Sequence, residues 1–251
     1  MSLKVSLITA TYNSVKTFEM CANSVLNQTY SNIEYIIVDG QSDDGTIELL
    51  KSMAITHENM NWISEGDNGI YDALNKGLSR ATGDIVGFVH SDDFLSNNNI
   101  IASIVESFIA TEADGVYGDL HYVAKDNTNK IVRNWVSKQY KLKLLKQGWM
   151  PPHPTLYLKK KIYDTYGGFD LNFKIAADYD FILRIFKQTH LKFYYLPKTI
   201  VKMRVGGASN RSIKNIIQKS NEDYTAVSKN QIGNWLTILQ KNIFTWFQPK
   251  K

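Results

Sequence analysis

Short apolar runs alternate with stretches of helical spacing through the N-terminal part of the chain. Val5 to Ile8 is the first run and gives way to polar Thr9, Thr11 and Asn13; Phe18, Ala22, Val25 and Leu26 then recur at helical spacing. Ile33 to Val38 is the second run and stops at Asp39. Asp43-Asp44-Gly45-Thr46 predicts a turn, and Ile47, Leu49, Leu50 and Met53 predict a helix after it. Trp62-Ile63 predicts a weak third strand that ends near Glu65 and Asp67. Tyr71 to Ala81 reads as a helix with Ala73, Leu74 and Leu78 on one side. Ile85 to Val89 is a fourth strand, and it runs into His90-Ser91-Asp92-Asp93.

Strand and helix alternating in this order predict βαβ units and a mostly parallel sheet, whose ligands bind beyond the carboxyl ends of the strands. Those ends are where the polar side chains gather: Thr11 and Asn13, Asp39, Asp67, then Asp92 and Asp93. Further on, Gly115 to Val123 and Ile131 to Trp135 predict two strands around a polar turn, and Gly148 to Pro154 a loop. Ile175 to Phe186 begins acidic and becomes helical. Phe193 to Leu196 and Thr199 to Val205 predict a final pair of strands. Near the end, Ile232, Trp235, Leu236, Leu239, Ile243, Trp246 and Phe247 follow helical spacing, with Lys229, Lys241, Lys250 and Lys251 beside them. That pattern predicts an amphipathic helix suited either to a membrane surface or to packing on the domain or in a dimer interface.

Composition narrows the function classes. Apolar residues are 43% and charged residues 21% of 251, enough for one sizeable α/β core. The net charge of +5 is too modest to identify nucleic acid as a partner, and no basic run is interleaved with aromatics. A single cysteine, Cys21, rules out an intramolecular disulfide and fits a reducing compartment; it reads as a small buried hydrophobe on the first helix. No secretory leader or bilayer-spanning run is expected.

Two adjacent carboxylates at a strand end, Asp92 and Asp93, repel one another unless a cation or hydrogen bonds offset the charge. A hard divalent ion bridging to a diphosphate is the economical explanation; a solvated turn capping the next helix is the plainer one. Asp39 at the neighbouring strand end favours the first, since a carboxylate there can accept from the N–H of a nucleobase. Asp44 reads as the N-cap of the following helix. Thr9-Ala10-Thr11-Tyr12-Asn13 contains no glycine, which counts against a dinucleotide oxidoreductase, a P-loop and a nucleotidyltransferase.

Ser6-Leu7-Ile8-Thr9-Ala10-Thr11-Tyr12-Asn13, Val38 through Thr46 (VDGQSDDGT) and Ser91-Asp92-Asp93 resemble the N-terminal signatures of family-2 glycosyltransferases. Glu65 through Gly77 (EGDNGIYDALNKG) resembles the branch that assembles bacterial surface polysaccharides. The likeness continues through Gly167-Gly168-Phe169-Asp170 and Ala176 to Phe181 and covers residues 3–205. It implies a GT-A fold, a Rossmann-like mixed sheet flanked by helices, and inversion at the anomeric carbon. It also implies a nucleotide-sugar donor, UDP-linked by family habit, and a glycan or lipid-linked acceptor. By that resemblance Asp39 reads the base, with Ala10, Thr11 and Tyr12 around it; Asp92 lies near the ribose; Asp93 binds Mn2+ or Mg2+; and Asp178 is the base. The sequence departs from the pattern at Ala10, where proline is usual, at Ser91, where an acid is usual, and at Ala177, which leaves Asp178 alone.

The expected organisation is a catalytic domain over 1–205, its nucleotide part over 1–95 and its acceptor part over 96–205, with a helical extension over 206–251. Lys76 is a candidate for diphosphate charge, or a lysine on an exposed helix face. His153 and Asp180 are acceptor-side candidates, His153 equally a structural part of a rigid proline loop and Asp180 on another side of its helix. Trp149, Tyr157 and Phe169 are sugar-stacking surfaces or core. The location expected is cytoplasmic, peripheral at the inner face of the membrane. A non-catalytic sugar-nucleotide binder is the competing class, and the presence of Asp178 weighs against it.

Overall fold

The structure, a computed structural model, describes residues 2–206 and 213–246. Four strands, β1 (Val5–Thr11), β2 (Ile33–Asp39), β3 (Met60–Ser64) and β4 (Ile85–Phe88), are all parallel and stand in the order β3-β2-β1-β4. β1 and β2 are buried on both faces, which is why they read as continuous apolar runs. Alternation still sorts the two faces. Leu7, Tyr35 and Ile37 pack with α1 (Val15–Leu26), α2 (Thr46–Thr56) and α4 (Ile100–Thr111); Ile8, Ile36 and Val38 pack with α3 (Ile70–Arg80) and α7 (Ala177–Phe186). Cys21 is buried on α1, where burial pushes its thiol up to about 12. The result is a three-layer α/β/α fold.

Beyond β4 the sheet becomes mixed. β8 (Tyr157–Lys159) runs antiparallel to β4 and to β6 (Gly115–Val123), and β7 (Ile131–Trp135) pairs with β6 on a branch. The predicted final pair of strands is one strand, β9 (Phe193–Arg204), parallel to β6. Its register against β6 shifts around Asp119, opposite the stretch holding Pro197, which has no N–H to give the ladder. The two-residue β5 (Phe94–Leu95), too short to show a period, pairs with β9 and so clamps the turn after β4 against the far part of the sheet. α5 (Leu142–Lys146) and α6 (Lys160–Tyr166) flank the proline loop and β8.

The extension contributes α8 (Ile213–Lys229) and α9 (Trp235–Trp246). Ala226, Val227, Ile232 and Ile238 join the same core as α7, so both helices pack on the catalytic domain. Trp235, Leu236 and Leu239 project from the opposite side of α9. Phe247, Lys250 and Lys251 of the expected amphipathic pattern lie outside the described residues, as do the side chains of Ile243 and Trp246. No helix among the described residues is long and apolar enough to cross a membrane.

Packing is close where β4 meets β8. A Cβ on Gly87 would stand 2.3 Å from Tyr157 Cε1, and that ring is fully buried. Gly87→Ala therefore overpacks the centre of the molecule and is expected to cost about 1–3 kcal/mol, read as a lower urea midpoint at unchanged slope. A midpoint equal to wild type would show that the ring yields freely.

Candidate active site

The loops after β1, β2 and β3 are stitched together at one edge of the sheet. Gly40 N donates to Thr11 O at 2.9 Å and Glu65 N to Asp39 O at 2.9 Å. Asn13, left-handed at φ 49°, donates its N–H to Ser42 Oγ at 2.8 Å and accepts from Asp43 N at 2.9 Å. A Cβ on Gly40 would lie 2.6 Å from Asp67 Oδ2 and would displace that carboxylate. The lack of a side chain at Gly40 lets Asp67 approach the end of β2.

Asp39 ends β2 fully buried and accepts from Ser42 Oγ at 2.5 Å, Ser64 Oγ at 2.7 Å and Ser42 N at 3.0 Å. These donors stabilise a charge taken out of water and fix the carboxylate's orientation. Ala10 and Thr11 are buried beside it at the end of β1, whereas Tyr12 is exposed at the rim. Asp44 stands one residue before the helix cap, which is Gly45; it accepts from Thr46 N at 3.0 Å and also from Val15 N at 3.1 Å, tying the starts of α1 and α2 together. Lys76 Nζ is already engaged, 2.6 Å from Gly66 O and 3.3 Å from Glu65.

The turn after β4 carries the paired acids. Asp93 is fully buried, and one oxygen, Oδ1, accepts from Arg204 N at 3.1 Å. Arg204 also donates from Nη1 to Asp92 O, so β9 grips this turn. Asp93 Oδ2 is buried with no hydrogen-bond partner among the described residues. Burial, followed by the charge of Asp92, pushes the Asp93 carboxyl well above the usual carboxylate range, against the opposing pull of Arg204. Such an oxygen fits a hard divalent cation. No three His, Cys, Asp or Glu side chains among the described residues enclose a metal by themselves, so remaining ligands would come from phosphate oxygens and water.

Asp178 opens α7. Tyr71 Oη donates to Asp178 Oδ1 at 3.0 Å and lies 2.7 Å from Ile175 O. His153 Nδ1 is 3.1 Å from Asp178 Oδ2, and His153 Nε2 is 3.3 Å from Nε2 of His90, the residue before the acid turn. Burial raises the Asp178 carboxyl, but the charges of His153 and Lys241 and the Tyr71 hydrogen bond outweigh it and hold the group below its ordinary range. The structure thus brings Asp178 and His153 together and links them, through His90, to the segment after β4 that carries Asp92 and Asp93.

Asp180 is elsewhere. Its carboxylate is fully buried and enclosed by Arg184 Nη2 at 2.8 Å, Asn230 Nδ2 at 2.9 Å and Lys229 Nζ at 3.3 Å. Two residues along the helix turn its side chain away from that of Asp178. Trp149 and Tyr157 are buried in the core, and Phe169 is wedged between Tyr71, Phe88 and Phe181, all about 5.5 Å or less from ring to ring. Sequence reasoning did not find Arg204, Tyr71 as a partner of Asp178, or Glu222, whose Oε2 accepts from Ile175 N at 2.8 Å and Ala176 N at 2.9 Å. Only Tyr71 stood within a recognisable motif.

Residues 6–173 match the model of Glycosyl transferase family 2. An uncharacterised glycosyltransferase of Mycobacterium tuberculosis is 34% identical over 182 residues, which is 72% of this chain and 68% of the relative. Among solved structures, Staphylococcus aureus TarS 1–349 in complex with UDP-GlcNAc aligns with a TM-score of 0.73 at 18% identity, over 92% of this chain and 66% of that one. The mannosyltransferase PcManGT of Pyrobaculum calidifontis, in complex with GDP-Man and Mn2+, aligns with a TM-score of 0.68 at 19% identity, over 91% and 64%. This chain therefore spans about two thirds of the length of these relatives. The three-layer fold with its acids at the strand ends is GT-A, and the chain belongs to glycosyl transferase family 2.

Proposed function

We propose that this glycosyltransferase moves a sugar from a nucleotide-diphosphate donor, a UDP-sugar, to a hydroxyl of a glycan or lipid-linked acceptor with inversion, in bacterial surface-polysaccharide assembly. The observation that carries the reading is Asp178: a carboxylate held below its ordinary range at a helix start and linked through His153 and His90 to the segment after β4 that bears the paired acids. In this reading residues 1–95 hold the nucleotide and residues 96–205 the acceptor, with the extension bracing the acceptor side. Asp39 accepts from the base within the pocket of Ala10, Thr11 and Tyr12, and Asp92 faces the ribose.

Inverting transfer is an in-line displacement. The acceptor oxygen forms its bond to the anomeric carbon as the bond from that carbon to the diphosphate oxygen breaks. A hydroxyl is a weak nucleophile at neutral pH, so Asp178 takes its proton as the new bond forms. Asp93 would hold a manganese or magnesium ion, which when bound would supply charge neutralisation to the leaving diphosphate. Asp178→Asn keeps the shape of the side chain and removes the base. It is expected to retain nucleotide affinity and to lose about 100- to 10,000-fold in transfer rate. Transfer near the wild-type rate would remove Asp178 from this role.

Membrane association rests on α9. Its packed side presents Thr237, Ile238 and Lys241 to the domain, leaving Trp235 63% exposed with Leu236 and Leu239 beside it. A tryptophan with leucines on one face of a basic protein suits the interface of an anionic membrane, where a lipid-linked acceptor would lie. Replacing Trp235 and Leu239 together by glutamate leaves the packed side intact. The double variant is expected to stop co-floating with anionic vesicles while wild type floats; equal behaviour of the two would refute the association.

A further inference from the structure

His153 is placed with unusual constraint for a loop residue. It opens a 3-10 turn, His153–Thr155, between Pro152 and Pro154. Thr155 fixes that turn, donating its N–H to Pro152 O at 2.9 Å and lying with Oγ1 3.1 Å from Gly118 O. Both ring nitrogens are engaged, Nδ1 with Asp178 and Nε2 with His90. Burial lowers the pKa of the His153 imidazole, against the opposing charge of Asp178.

The contacts fix the tautomer of the neutral His153 ring. A neutral imidazole has one N–H and one lone pair. A lone pair on Nδ1 of His153 would face the anionic Oδ2 of Asp178, so the proton sits on Nδ1 and the lone pair on Nε2. His90 must then donate its Nε2–H to His153. The chain of donors runs from the acid-bearing segment through His90 and His153 to Asp178. Tyr71 holds the other carboxylate oxygen with a single proton that also lies near Ile175 O. When Asp178 takes up a proton, Tyr71 can turn wholly to Ile175 O and accept from the carboxyl. His153 has no such alternative, because its Nε2 is occupied.

Taking Asp178 as the base proposed above, we propose that His153 is its positioning residue: the Nδ1–H of His153 fixes the carboxylate oxygen opposite Tyr71, so that Asp178 meets the acceptor hydroxyl as an aimed anion. The other groups facing this pair come from two elements, α8 and α9. Lys241 on α9 and Lys219 on α8 are cationic, and Asp223 and Glu222 on α8 are acidic; Lys241 is 2.7 Å from Asp223, which offsets much of its charge. These remain in place when His153 is changed.

The test follows the Asp178 carboxylate directly in the full chain and needs no substrate. Carbon-13 NMR of aspartate-labelled protein gives the titration, with Asp178→Asn identifying the signal. His153→Ala removes the donor, His153→Asn returns an N–H close to the Nδ1 position, and His153→Gln places its amide nearer the Nε2 position. The Asp178 midpoint is expected to rise by about one pH unit or more in His153→Ala and His153→Gln, and to return towards wild type in His153→Asn. Nitrogen-15 spectra of histidine-labelled wild type should show His153 neutral with its proton on Nδ1. An unchanged Asp178 midpoint in both the alanine and glutamine variants overturns the proposal, as does an asparagine variant that titrates like alanine. If alanine fails to fold, the contrast between glutamine and asparagine decides. Because transfer is not measured, failure here is separate from failure of Asp178 as the base.

Discussion

Taking a carboxylate out of water is costly unless donors or a cation replace the lost hydration, and this fold does so repeatedly. Asp39 is met by three donors from Ser42 and Ser64. Asp180 is enclosed by Arg184, Lys229 and Asn230, and Asp223 is paired with Lys241. Asp178 is held at one oxygen by Tyr71 and at the other by His153. Asp93 is the exception: one oxygen receives a backbone N–H, and the other, equally buried, receives nothing from the described residues. The pattern separates acids that the protein satisfies by itself from one whose second oxygen suits a ligand the protein does not carry.

The same requirement explains what the C-terminal extension does. Glu222 on α8 accepts from two N–H groups at the entry to α7, Asn230 and Lys229 reach Asp180 on α7, and Lys241 on α9 sits 2.7 Å from Asp223 with its ammonium over the Tyr179 ring. α7 carries Asp178, so its position depends on partners supplied by α8 and α9. The extension is built into the acceptor side through buried polar contacts, while the outer face of α9, like Ile216, Ile217 and Tyr224 on α8, is left exposed.

The parts of this arrangement that follow a local period were legible in the sequence. Strands buried on both faces gave apolar runs, and the acids that end them, Asp39, Asp92 and Asp93, stood out against those runs. Gly115 to Val123 and Ile131 to Trp135 fall where the strands are. The short β5 and β8, two and three residues long, have no room for a period. Partnerships across the chain were illegible for another reason. Arg204 lies 111 residues from Asp93, and Tyr71 lies 107 from Asp178, distances that only the crossing of elements can close. His153 was visible as a histidine between prolines, but its link to Asp178 depends on the path of a loop. The two strands expected over Phe193 to Leu196 and Thr199 to Val205 are one, because β9 carries Pro197 between them through a shift in register.

The central claim is that Asp93 completes a cation site only when a nucleoside diphosphate brings the remaining oxygens. A thermal-shift titration of wild type and Asp93→Ala with UDP and with GDP, each with and without manganese, tests it, because a ligand that binds only the folded state raises the melting temperature. In wild type, one diphosphate should raise the melting temperature substantially more with manganese than without. In Asp93→Ala the manganese-dependent part should vanish, each rise being read against the variant's own ligand-free melting temperature because the Arg204 N–H has lost its acceptor. A manganese-dependent rise of equal size in Asp93→Ala would contradict the account.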